Sequence, residues 1–132
     1  MSATVAGPTV GLLQEINAAF NARDLDRIMR FFTGDCTFLM ARGPESVGRR
    51  VHGKDALRKV LGDRFKVIPD MRWDHVDAFV CGHRAVTVWM VTGAGKDGER
   101  LNYRGCDIYE FRDDKILSKD TDWKLVERAD RL

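Results

Sequence analysis

After Pro69 the spacing of apolar residues changes from that of helices to that of strands, and it does not change back. Four runs follow: Met71 to Val80, Arg84 to Thr92, Arg100 to Phe111 and Ile116 to Leu125. They are rich in β-branched and aromatic residues. The turn formers Cys81-Gly82-His83, Gly93 to Gly98 and Arg112-Asp113-Asp114 separate them. Breaks this short suit antiparallel neighbours, so the second half of the chain reads as a meander. Before Pro69, Val10, Leu13, Ile16 and Phe20 recur at helical spacing. Leu25, Ile28, Met29 and Phe32 do so again after Asp24, a predicted N-cap. Cys36 to Ala41 reads as a short strand and Arg42 to Arg50 as a loop. Gly53 then opens a third helix, with the stripe Leu57, Val60, Leu61 and Phe65, whose end is expected near Gly62 or shortly after. Helices segregated before a meander give the α+β class, with helices covering one face of a curved sheet.

Composition narrows what such a chain does. At 132 residues, 44% hydrophobic and 32% charged, it reads as one soluble domain over 1–132 with a flexible segment at 1–8. The formal charge of +2 arises from 22 basic and 20 acidic residues mixed along the chain. No basic stripe stands out, which argues against nucleic acid as a partner. No apolar run is long enough to span a bilayer, and the first residues lack the pattern of a signal peptide, so a cytoplasmic location is expected and no membrane partner. Cys36, Cys81 and Cys106 are odd in number and form no C-x-x-C, which argues against a disulfide framework and a structural zinc site. His52, His75 and His83 are not joined by carboxylate or cysteine spacing, so no metal site is expected.

The segment Tyr103 to Trp123 reads as one hairpin that carries charges on its strands. If Phe111 pairs with Lys115, Asp107 stands opposite Lys119, with both side chains on one face. An acid and an ammonium then share a site, as an ion pair or, if both are deeply buried, as a neutral pair. Such a lysine can bind an enolate-like oxygen or polarise a carbonyl while the acid exchanges a proton. A Schiff base at Lys119 would require a depressed pKa. Equally, the two side chains can merely satisfy one another, or reach solvent.

Several phrases in this order resemble the nuclear transport factor two-like superfamily, in its SnoaL-like and ketosteroid-isomerase-like branch. They are F-N-A-R-D-L-D-R-I-M-R-F-F-T-G-D-C-T-F, V-H-G-K-D-A-L, I-P-D-M-R-W and G-C-D-I-Y-E-F-R-D-D-K-I. The resemblance implies a cone-shaped curved antiparallel sheet covered by three N-terminal helices, with a pocket at its open end. It further implies a homodimer in many members and no obligatory metal or organic cofactor. It places Asp107 where ketosteroid isomerases carry an oxyanion-stabilising aspartate. Ile16 and Met40 stand where those enzymes carry a tyrosine and a proton-shuttling carboxylate, which argues against that activity. Limonene epoxide hydrolase activity is disfavoured too, because Arg84 to Thr92 has no Arg-x-Asp pair and Thr121 replaces the last-strand aspartate.

The same comparison turns Lys119, Thr121 and Trp123 inward beside Asp107, Tyr109, Gly105 and Tyr103. Asp107 and Lys119 are the catalytic candidates. Tyr103, Tyr109, Thr121, Trp123, Asp70, Met40 and His52 are the candidate ligand-binding residues. His52 and Asp70 also suit purely structural roles, at a loop-to-helix turn and a strand start. The Gly93 to Gly98 loop links two strands and has little claim to phosphate. The expected function is an isomerase, cyclase or lyase acting on a small apolar carbonyl compound. The alternative is a non-catalytic ligand-binding or dimerising module.

Overall fold

In the computed structural model of the chain, in which residues 7–127 are described, the chain opens with α1 (Val10–Asn21) and α2 (Leu25–Arg30). The Thr9 hydroxyl accepts the Leu12 N–H and the Asp24 carboxylate accepts the Arg27 N–H. Each helix therefore starts where a short polar side chain satisfies a backbone donor that has no helical partner. The predicted flexible segment 1–8 falls outside the described residues but for Gly7 and Pro8, and Pro8 is buried. Next come β1 (Phe32–Leu39), β2 (Arg50–His52), α3 (Lys54–Val67), β3 (Arg72–Cys81), β4 (Arg84–Ala94), β5 (Arg100–Arg112) and β6 (Lys115–Trp123). Among the described residues no helix is long and apolar enough to cross a membrane.

One curved open sheet holds all six strands in the order β2-β1-β6-β5-β4-β3. The run β3 to β6 is the expected antiparallel meander, but β1 lies parallel to β6, joined through a shift in register. Other boundaries differ from expectation for local reasons. Phe32 belongs to β1 and not to the second helix, and Arg50–His52, expected in part as loop, pairs with β1. Helix α3 runs through Gly62 to Val67. A Cβ at Gly62 would meet the Leu25 Cδ1 at 3.4 Å, so glycine there serves close packing of α2 against α3 and does not end the helix.

The strands alternate as a sheet with one covered face must. Ala85, Thr87, Trp89 and Val91 of β4 are buried, while Val86, Val88 and Met90 point the other way. Leu13, Ile16 and Phe20 of α1 pack with Leu57, Leu61 and Phe65 of α3, and with Tyr109, Phe111 and Ile116 of the sheet, in one core. A second cluster, Ile68, Met71, Trp89, Val91 and Leu101, fills the end near the β4–β5 loop. Trp73 packs against both.

Candidate functional site

The site begins with the way the β5–β6 hairpin is wound. Its turn is tight: Arg112 pairs with Lys115 and Phe111 with Ile116, and Asp113 takes φ 57. Continued without change, that register would put Asp107 opposite Asp120 and turn Lys119 to the outer face. A bulge between these pairs and the next ones adds one residue on β6, so that Glu110 faces Ser118, Tyr109 faces Lys119 and Asp107 faces Thr121. The expected pairing of Asp107 with Lys119 is thus displaced by two positions. A shift of two keeps both side chains on the same face, so they meet diagonally across the strands.

Both are almost wholly buried, Asp107 at 4% exposure and Lys119 at 6%. The Lys119 Nζ donates to Asp107 Oδ1 at 2.9 Å and to Thr121 Oγ1 at 2.8 Å. The Thr121 hydroxyl donates to the same Oδ1. On the other oxygen, Asp107 Oδ2, Trp89 Nε1 donates at 3.0 Å and the Tyr109 hydroxyl at 3.4 Å. Four donors therefore converge on one carboxylate, the arrangement that makes a buried charge tolerable. Burial, and after it the Asp107 charge, pushes the Tyr109 phenol well above its usual range, so it stays protonated and a donor. An ammonium has three N–H groups, and two are engaged. The Lys119 Nζ also lies 4.7 Å from the Phe38 ring centroid and 5.4 Å from that of Phe20.

Those rings border a cleft of about 570 Å³, open mouth included. Its walls are Phe20, Phe38, Met40, Leu61, Phe65 and Trp73. Lys119 and Thr121 form its buried end, and the better exposed Arg42, Arg64 and Trp123 stand toward solvent. A smaller cavity of about 280 Å³ lies on the carboxylate side, lined by Ile16, Asn17, His75, Trp89, Asp107 and Tyr109. Phe20, Trp73 and Lys119 border both spaces. Burial lowers the His75 pKa below its usual 6.5, with the Asp107 charge opposing, so the imidazole is neutral near pH 7.

Asp107, Lys119, Tyr109 and Thr121 are thus one hydrogen-bonded cluster, and Met40 and Trp123 line the adjoining cleft. Three other candidates stand apart from that wall. Tyr103 packs behind Trp123 with ring centroids 5.4 Å apart. Asp70 accepts the Ala94 N–H at 2.8 Å and so braces the β4–β5 loop. His52 lies exposed on β2, its Nδ1 3.2 Å from the Thr37 hydroxyl. Sequence reasoning missed Trp89 as a donor to the acid, His75, Arg42 and Arg64. Strand alternation from Trp73 carries a signal for His75, whereas the placement of Arg42 and Arg64 depends on how a loop and a helix pack. Among the described residues no three His, Cys, Asp or Glu side chains are grouped to hold a metal ion.

The backbone is shared with many solved structures. An uncharacterized cystatin-fold protein from Novosphingobium aromaticivorans is 25% identical, with 85% of this chain and 95% of that chain covered and a TM-score of 0.73. A putative polyketide cyclase from Xanthomonas campestris is 21% identical over 87% and 89% of the two chains, with a TM-score of 0.74. A ketosteroid isomerase-like fold from Catenulispora acidiphila, solved in complex with trimethylamine, is 14% identical over 89% and 88%, with a TM-score of 0.76. No curated protein matches the sequence. The SnoaL-like domain matches residues 13–119, a span that takes in most of α1, all of α2 and α3 and the hairpin as far as Lys119, and the chain belongs to the SnoaL-like family.

Proposed function

We propose that the cleft and the Asp107–Lys119 pair form an acid/base site for a small apolar carbonyl compound, in an isomerase, cyclase or lyase reaction that needs no cofactor. One observation carries the reading: an ammonium at 6% exposure, with one N–H beyond those given to Asp107 and Thr121, stands at the buried end of a cleft whose side walls are apolar. A carbonyl oxygen at that point would accept the remaining N–H. Negative charge growing on it, as an enolate forms, would be stabilised by a cation already fixed in place. Asp107 does not itself border the cleft, so its acid/base part would run through Thr121, which borders the cleft and donates to Oδ1. Similarity in fold to a putative polyketide cyclase supports carbonyl chemistry.

A second reading rests on the same cluster. Four donors leave Asp107 little capacity to act as a base, which favours a ligand-binding module in which the pair only shapes the cleft. Deuterium uptake next to the carbonyl of small apolar ketones and enones, followed by NMR in deuterated water, separates the two. Catalysis predicts uptake above background that disappears in a folded Lys119→Met variant. Binding that depends on Lys119 without any uptake would favour the module, and binding indifferent to Lys119 would remove the site altogether. In both readings a homodimer would form through the outer sheet face, where Val76 and Phe79 are 58% and 49% exposed beside Val86, Val88 and Ile108. The free thiols Cys36, Cys81 and Cys106 suit a reducing, cytoplasmic setting.

A further inference from the structure

The mouth of the cleft has a chemistry of its own. Arg42 and Arg64 both lie over the Trp123 ring, their Cζ atoms 5.2 and 5.8 Å from its centroid. Each also reaches Glu99: Arg42 bonds Oε2 closely, while Arg64 is 3.9 Å from Oε1. One carboxylate thus bridges two guanidiniums, tightly on one side and loosely on the other. A single negative charge cannot neutralise two positive ones. Asp97, the next acid felt by Arg64, is exposed and accepts the Glu99 N–H. Burial first, and Arg42 second, lowers the Arg64 pKa, as expected of a guanidinium short of counter-charge. At the other end of the cleft Lys119 is matched by Asp107, so among the described residues the surplus positive charge lies at the mouth.

Both arginines are held in place. Arg64 projects from α3, and Arg42 from a loop pinned by the Met40 N–H to Arg49 carbonyl bond and the Arg49 N–H to Arg42 carbonyl bond, both 2.9 Å. Within that loop Gly48 has φ +77, and a Cβ there would fall 1.8 Å from the Met40 carbonyl oxygen, so the tight path depends on glycine. Planar guanidiniums in fixed positions suit planar carboxylates.

We infer that the mouth is a carboxylate site, that the ligand is an amphipathic acid with its apolar body in the cleft and its anion between Arg42 and Arg64, and that Glu99 is a resident carboxylate which the ligand displaces. The inference rests on the cleft's being a ligand site. Naphthoate and naphthamide share an apolar body and differ in charge, so calorimetric titration with both separates the two questions. Naphthoate should bind at least about tenfold tighter, equivalent to about 1.4 kcal/mol. Arg42→Met and Arg64→Met should each bring the ratio toward one by weakening naphthoate more than naphthamide, Arg64→Lys should retain part of it, and Glu99→Gln should strengthen naphthoate binding. Equal binding of the two probes overturns the carboxylate site and leaves the cleft intact as a ligand site. Failure of both to bind at millimolar concentration overturns the cleft and the inference together. Weaker naphthoate binding in Glu99→Gln overturns the displacement of Glu99.

Discussion

Lys119→Met removes the ammonium but keeps most of the aliphatic stem, so its effect reads the charge pair more than the packing. Asp107 would keep the donors Trp89, Tyr109 and Thr121 but lose its counter-charge at 4% exposure. Breaking a buried pair by removing one partner costs about 3–5 kcal/mol, against about 0–1 kcal/mol for an exposed pair. For a domain of 132 residues, about 4 °C per kcal/mol places the loss of Tm at about 12–20 °C. Asp107→Asn should cost a similar amount, because it strands the ammonium. The double variant Asp107→Asn/Lys119→Met should cost less than either single. Its amide oxygen can accept from Trp89 and Tyr109, and its NH2 can donate to the Thr121 oxygen that Lys119 no longer occupies. Urea unfolding at pH 7, followed by circular dichroism with m held comparable, gives all four free energies. Additive losses, or a cost for Lys119→Met below about 1 kcal/mol, would refute a buried and mutually dependent pair.

Asp35 receives both ends of the Arg112 guanidinium at 3.1 and 2.8 Å, and that bond holds its pKa at about 2 against the usual 3.8. The stability from this group is complete above the usual value and is lost as pH falls toward 2; a carboxyl-carbon NMR titration should find the midpoint near 2, returning toward 3.8 in Arg112→Gln, and an unmoved midpoint would count against the pairing. Tyr109→Phe should cost about 0.5–1.5 kcal/mol at neutral pH for a long hydrogen bond. Because the folded phenol is held well above 10, wild-type stability should decline as pH rises past that value, and urea midpoints of the variant should lose this component; identical alkaline slopes would contradict it. Gly48→Ala should destabilise by more than about 1 kcal/mol, since the residue has φ +77 and no room for a Cβ, and by displacing Arg42 it should also weaken any preference for naphthoate; unchanged urea midpoints would mean that the loop is not tightly held.

The helices and the meander are legible in the sequence because each carries its own period, and the Asp24 cap because it is a local bond. What the chain does over long distances is less visible. Strand β1 lies beside β6 in parallel, with α3 and four further strands between them in sequence, and no local spacing encodes that partner. Gly62 has the composition of a helix end, yet packing against Leu25 makes it an interior residue. In the site, period two along β5 and β6 announces which residues share a face, so Asp107, Tyr109, Lys119 and Thr121 are found together. Arg42 and Arg64 are not, because they reach one tryptophan from a loop and a helix that only the folded core brings near each other.

The hairpin register shows why faces are easier to read than partners. A three-residue break pairs Phe111 with Lys115; the folded chain uses a two-residue turn and then adds a residue within β6. Either step taken alone would exchange the inner and outer sets of β6, exposing Lys119 and Thr121 and turning Ser118 and Asp120 inward. Taken together they restore the face and move the partner by two. The bulge also lets Ile116, wholly buried in the core, and Lys119, buried at the cleft, point inward from one strand although they differ by an odd number of positions. A regular ladder would have to give up one of them. The core selects Ile116 and the carboxylate selects Lys119, so the irregularity beside the turn is the means by which a single strand serves both.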